Sequence, residues 1–183
     1  MGIGSTLRRA VFLDRDGVLN RAIVRNGRPY PPQSLRELKI LPKVSEATQA
    51  LKRAGFLLVM VTNQPDVARG SADRAVVEAM NASLVDALGL DAALCCFHDE
   101  ADNCHCRKPL PGMLNDAAST LGIDLRASYM VGDRWRDTEA GRRAGCSTLF
   151  IDYGYDERQP EQVDHRVGSL WEASRIILRE ENP

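Results

Sequence analysis

Carboxylates crowd two short stretches of this 183-residue chain. Leu13-Asp14-Arg15-Asp16-Gly17-Val18-Leu19-Asn20 ends one apolar run, and Val131-Gly132-Asp133 ends another, with Asp137 four residues further on. A third run ends in Val61-Thr62-Asn63-Gln64, which brings a hydroxyl and two amides. Carboxylates at i and i+2 leave a strand end on the same side, and Gly17 permits the tight turn that exposes them. Three clustered carboxylates repel one another, so a hard cation such as Mg²⁺ is the physical way to hold them together. Each Asp taken alone could simply cap a following helix; their recurrence on successive apolar runs weighs against that account.

A second cluster is made of softer ligands. Cys96-Phe97-His98, five residues and Cys104-His105-Cys106 offer three thiolates and one imidazole, a complete tetrahedral set for Zn²⁺. With every position taken by protein, such a zinc would be structural. Lys108 follows two residues after Cys106, so the ion would fix the backbone that presents Arg107 and Lys108. Cys95 and His105 are spare, Cys95 expected to face the core and His105 solvent, and Cys146 is expected in the core. The competing account is a set of incidental thiols.

Alternating elements must position these groups. Ala10–Leu13, Phe56–Val61, Ala92–Phe97, Tyr129–Val131 and Thr148–Ile151 read as strands. Helical spacing runs through Val44, Ala47, Leu51 and Ala54 up to Gly55, and through Val76, Met80, Leu84 and Leu88 after Ser71 as N-cap. It recurs from Met113 to Leu121 and from Asp137 to Ala144 before Gly145, while Ser169 and Glu172 form a capping box for a last helix through Leu178. Strand–helix alternation predicts an α/β fold: a Rossmann-like parallel sheet of five strands sandwiched by helices, with ligands beyond the strands' carboxyl ends. The chain reads as one domain over residues 1–183, with an irregular segment at 20–41 that holds Pro29, Pro31 and Pro32, and a zinc-binding loop at 96–108.

Composition removes other classes. Hydrophobic residues at 44% and charged residues at 27% suit a globule. Lys and Arg number 24 against 25 Asp and Glu, a net charge of −1, which argues against nucleic-acid binding by bulk charge. Aromatics at 5% argue against base-stacking platforms. No apolar run approaches a membrane span or a secretory h-region, so a reducing, cytoplasmic setting is expected. Met1-Gly2 with Thr6 matches the loose myristoylation pattern, which a short lead-in explains more simply.

Asp14-x-Asp16-Gly17-Val18, Thr62, Lys108 and Gly132-Asp133-x₃-Asp137 resemble the four ordered motifs of the haloacid dehalogenase superfamily, over roughly residues 9 to 155. The resemblance implies that Asp14 is a nucleophile forming an aspartyl-phosphate, and that Asp16 protonates the leaving alcohol and then activates water. It implies Mg²⁺ on the Asp14 side chain, the Asp16 carbonyl and Asp133. Thr62 would donate to the phosphoryl oxygens, Lys108 would neutralise their charge, and Asp137 would orient Lys108 or a metal-bound water. The zinc loop running into Cys106-Arg107-Lys108-Pro109-x-Pro111-Gly112-Met113 is similar to a subgroup of phosphatases that act on D-glycero-D-manno-heptose 1,7-bisphosphate, and to the histidinol-phosphate phosphatases. Gly17-Val18-Leu19-Asn20 and Ala68-Arg69-Gly70 favour the heptose group, which removes the 7-phosphate.

Asn20, Asn63, Arg69 and Arg107 are then the expected substrate contacts, with Arg134 and Arg136 as possible helpers. The expected partner is a small phosphorylated sugar, handled by a monomer without a large cap domain, nucleic acid or membrane. Two features depart from the pattern. Pro65-Asp66 stands where the subgroup has Ser-Gly, and Arg21, Arg25, Arg28 and Tyr30 match no family feature. Asp99, Glu100 and Asp102 could instead draw a cationic amine such as histidinol, although a solvated loop face is the simpler account. A chain of another class, an inactive zinc-stabilised phosphate-binding module, would have lost a motif acid or Lys108, and none is replaced.

Overall fold

A computed structural model describes residues 7–180; the Gly2 lead-in lies outside them. In chain order the elements are β1 (Ala10–Leu13), β2 (Ile23–Arg25), β3 (Arg28–Tyr30), α1 (Val44–Arg53), β4 (Leu57–Asn63), α2 (Arg74–Leu88) and β5 (Ala92–Cys96). Then follow α3 (Gly112–Leu121), β6 (Tyr129–Gly132), α4 (Trp135–Ala144), β7 (Ser147–Ile151), β8 (His165–Val167) and α5 (Leu170–Glu180). Six strands form one parallel sheet in the order β5-β4-β1-β6-β7-β8.

The central strands alternate faithfully between two cores. Val11 and Leu13 of β1, Leu58 and Met60 of β4, and Val131 of β6 meet Leu51 of α1, Leu84 of α2 and Ile177 of α5 on one face. Ala10, Phe12, Val59, Val61 and Met130 meet Met113, Leu114 and Ala117 of α3 and Ala140 of α4 on the other. This period of two, with helices on both faces, is why these strands read as unbroken apolar runs.

The five expected strands are present and parallel, and β8 adds a sixth that His165-Arg166-Val167 is too short and polar to announce. The α2 helix is capped by Asp73, which accepts from the Ala75 N–H at 2.8 Å, and not by Ser71. Ser71 Oγ donates instead to the Asp66 carbonyl at 3.2 Å, which closes the preceding loop. At the start of α5, Ser169 accepts from the Glu172 N–H as expected, but Glu172 reaches back to the Gly168 N–H. Residues 20–41 are not wholly irregular, because β2 and β3 pair as an antiparallel hairpin around Asn26-Gly27. Both turn residues have positive φ, 51° and 73°, as a two-residue turn of the primed kind requires. Among the described residues no helix is long and apolar enough to cross a membrane.

Candidate active site and candidate zinc loop

The three innermost strands β4, β1 and β6 end side by side, and their carboxyl ends deliver Thr62, Asp14 and Asp133 to one place. Lys108 enters from the chain that leaves the cysteine cluster. Its Nζ donates to Asp14 Oδ1 at 2.7 Å and to the Val61 carbonyl at 2.7 Å, and pairs with Asp137 Oδ1 at 2.6 Å. All three ammonium protons are used, so the amine is held in one position. Asp137 sits in the first turn of α4, where its Oδ2 also accepts from the Arg134 N–H at 3.0 Å. Both Asp137 oxygens are thus committed.

Asp133 is 1% exposed, and neither of its carboxylate oxygens has a hydrogen-bond partner. Tyr155 lies near enough to affect its titration but not in bonding geometry. Two glycines make the crowding possible. A Cβ on Gly17, at φ 88°, would sit 1.8 Å from Asp133 Oδ2, and one on Gly132 would sit 2.1 Å from the Asp137 Cβ. Any side chain at either position would displace a carboxylate.

Ligand oxygens of Asp14, Asp133 and Asp137 lie within 4.8 Å of one another. Burial, and next the Asp137 charge, raise the Asp14 carboxyl to about 7 despite Lys108 beside it. Burial followed by the Asp14 charge lifts Asp133 well above the ordinary carboxylate range. Burial also opposes the Lys108 charge, but Asp137 and Asp14 together outweigh it and raise the lysine. An orphaned buried carboxylate facing a second one is the donor set a hard divalent cation fits. Asp14 Oδ2 and both Asp133 oxygens are uncommitted and available to hold Mg²⁺.

Because Asp14 titrates near 7 when folded and near 3.8 otherwise, the folded chain holds the extra proton in that window and loses stability as pH rises through it. Mg²⁺ binding favours the ionised pair, so the rise in Tm on adding Mg²⁺ to magnesium-free protein should be larger at about pH 7.5 than at about pH 5. Equal shifts at both would contradict this picture of the carboxylates.

These groups open onto a cavity of about 350 Å³ whose wall includes Asp16, Thr62, Asn63, Arg69 and Arg107. Thr62 Oγ1 accepts from Gln64 Nε2 at 3.0 Å, which leaves its own proton to donate. Asn63 spends both ends of its amide on the Lys108 backbone, at 2.9 and 3.1 Å, so it positions Lys108 although it borders the cavity. Arg69 lies against Asp99 at 2.7 Å, and Arg107 reaches the His98 carbonyl at 3.1 Å. Asn20, expected as a substrate contact, is placed elsewhere. It is fully buried, is no part of the cavity wall, and donates to Asp16 Oδ1 at 2.9 Å, so it holds Asp16 and makes no contact in the cavity.

Two more residues grip Asp16 and carry no legible signal in the sequence. Arg15, fully buried, sets its guanidinium on Asp16 at 2.9 Å and on Asn81 at 2.9 Å, and Gln64 Nε2 donates to Asp16 Oδ2 at 2.9 Å. The Arg15 partner Asn81 lies on α2, 66 residues away in the chain, so nothing local announces the contact. Tyr153, whose hydroxyl donates to the Gly17 carbonyl at 2.9 Å, is likewise far from its partner in the chain.

The cysteine cluster closes as its spacing suggests. Cys96, Cys104 and Cys106 lie with Sγ–Sγ separations of 3.1, 3.5 and 3.7 Å, and His98 Nδ1 is 3.3 Å from Cys106 and 3.7 Å from Cys96. Tetrahedral zinc with ordinary bond lengths has ligand edges of roughly 3.6–3.8 Å, so this donor set fits the ion. The cysteines are free, and the sulfurs are too far apart for a disulfide. Cys95 is half-buried with its thiol pushed up to about 12 by burial, Cys146 is buried, and His105 is exposed against Asp116 at 2.9 Å.

Comparison with known proteins agrees with this geometry. The haloacid dehalogenase-like hydrolase family matches residues 32–145, the span that follows the Asp14–Asp16 run. The D-glycero-beta-D-manno-heptose-1,7-bisphosphate 7-phosphatase of Pasteurella multocida is 40% identical over 185 residues, 93% of this chain and 97% of that protein. The enzyme of the same name from Escherichia coli K12 is 35% identical over 189 residues, 95% and 96% of the two chains. A crystal structure of D,D-heptose 1,7-bisphosphate phosphatase from B. bronchiseptica, complexed with magnesium and phosphate, superposes with a TM-score of 0.78 at 33% identity, covering 94% of this chain and 99% of that one. With carboxylates, lysine and sheet topology arranged as described, the chain belongs to the haloacid dehalogenase-like hydrolases and is a phosphatase.

Proposed function

We propose that the protein removes the 7-phosphate of D-glycero-D-manno-heptose 1,7-bisphosphate through an aspartyl-phosphate on Asp14, as a monomeric cytoplasmic enzyme. The observation that carries the chemistry is Asp14, fixed by Lys108 at one oxygen and with its carboxylate within 4.8 Å of the orphaned Asp133. The Asp14 carboxylate attacks phosphorus; the new O–P bond forms as the bond to the sugar oxygen breaks, and Asp16 gives that oxygen a proton. Asp16, now the base, takes a proton from a water that attacks the same phosphorus, which releases inorganic phosphate and restores the Asp14 carboxylate. Arg15, Asn20 and Gln64 hold the Asp16 carboxyl in place for both halves. Thr62 donates to the phosphoryl oxygens and Lys108 offsets their charge. When bound at Asp14, Asp133 and the Asp16 carbonyl, Mg²⁺ supplies further neutralisation of the phosphoryl charge. Zn²⁺ at Cys96, His98, Cys104 and Cys106 has a structural part.

The names of the relatives support a phosphorylated heptose as substrate. The loop carboxylates favour a sugar over the amine of histidinol phosphate: Asp99 is bound by Arg69 at 2.7 Å and Glu100 by Arg136 at 2.7 Å, so neither is a free anion for an ammonium group. Phosphate release from the two substrates tests the choice. The heptose bisphosphate should show a kcat/KM at least about 100-fold higher, because a site built around a second polar group rejects a compound that lacks it. The reverse order would overturn the substrate assignment and leave the chemistry standing.

A further inference from the structure

The hairpin β2–β3 carries Arg25 and Arg28, cations that neither motif nor zinc loop explains. Arg28, Pro29 and Tyr30 form part of the wall of the cavity that Lys108 also lines. Of the other guanidiniums on that wall, Arg69 is paired with Asp99 and Asp66, Arg134 with Glu157, and Arg136 with Glu100. Arg107 has its carboxylates only at 3.9 and 4.0 Å. Arg28 alone among these arginines has neither an ion pair nor a side-chain hydrogen bond within the described residues.

Its placement is built rather than incidental. The turn Asn26-Gly27 puts Arg28 directly across from Arg25, a like-charge pair that costs stability unless an anion comes between or beside it. The hairpin tip is tied down where the Asp156 N–H donates to the Gly27 carbonyl at 2.8 Å, and a Cβ on Gly27 would stand 3.0 Å from that of Asp156. An exposed strand pair would otherwise be marginal; tethered, it holds an unpaired guanidinium over the cavity.

We propose that Arg28 is a specificity-determining residue that binds the anionic group which is not cleaved, the second phosphate of the substrate, with Arg107 as its partner across the cavity. This rests on the bisphosphate reading above. A guanidinium fork matches a phosphate, and Arg28 has no internal carboxylate to give up when it does so.

The test compares D-glycero-β-D-manno-heptose 1,7-bisphosphate with the corresponding heptose 7-phosphate, which differ only in the group Arg28 would bind. The wild-type protein should prefer the bisphosphate. Arg28→Ala should lower kcat/KM for the bisphosphate on the order of 10- to 100-fold more than for the monophosphate, chiefly through KM, and Arg28→Lys should recover part of the preference. A preference that survives Arg28→Ala intact overturns the anchor and leaves the substrate reading untouched. A wild-type protein without any preference, or inactive on both, overturns the substrate reading and the anchor together.

Discussion

Asp14→Asn should abolish phosphate release, by about 10⁴-fold or more, the order expected when the group that forms the covalent bond is removed. The substitution is nearly isosteric, and Asp14 is the buried carboxylate whose ionisation is opposed by burial and by Asp137. Neutralising it relieves repulsion among three clustered carboxylates, of which Lys108 pairs with two, while Lys108 keeps Asp137 and the Val61 carbonyl. The fold should therefore survive with a melting temperature close to that of the wild type. An inactive and intact protein is the signature of a nucleophile. Comparable turnover in Asp14→Asn and wild type would mean that the chemistry belongs to another residue.

Loss of the zinc site should be the next largest effect, and it should move stability and activity together. Cys106→Ser removes a ligand two residues before Lys108, and the freed loop also carries Asp99 and Glu100, which tie Arg69 and Arg136 to the cavity. A site of this kind is worth about 3 kcal/mol or more, or roughly 6–12 °C of Tm for a chain of this size. The kinetic loss should be smaller than that of the nucleophile, about 10- to 100-fold in kcat, because Asn63 still grips the Lys108 backbone at two points. Elemental analysis and melting of Mg²⁺-supplied protein, with and without zinc, check this. Full activity and an unchanged Tm in zinc-free protein would reduce the cluster to bystander thiols.

What was legible in the sequence was what depends on local spacing. The aspartates stand out because Gly17 and Gly132 mark the tight approaches that only glycine allows, and the cysteine cluster because its ligands lie within eleven residues of chain, Cys96 to Cys106. The sheet was legible because its middle strands are apolar on both faces, whereas β8 has only Val167 buried and no such run. Side-chain direction was not legible. Asn20 follows the first motif closely enough to look like a substrate contact, yet the turn after Gly17 folds it inward onto Asp16. Arg15 has no local signal because its partner Asn81 is 66 residues away on α2. The hairpin had its signal in Asn26-Gly27, but three prolines nearby obscured strands only three residues long.

During turnover the phosphoryl group should be carried on Asp14. The most direct measurement is acid quenching within the first turnover on the heptose bisphosphate with Mg²⁺, followed by mass analysis of the peptide that spans Ala10–Leu19. One phosphoryl group on Asp14, absent from Asp14→Asn, is the predicted result. A burst of inorganic phosphate with that peptide unmodified, or with the group on a different residue, would contradict it.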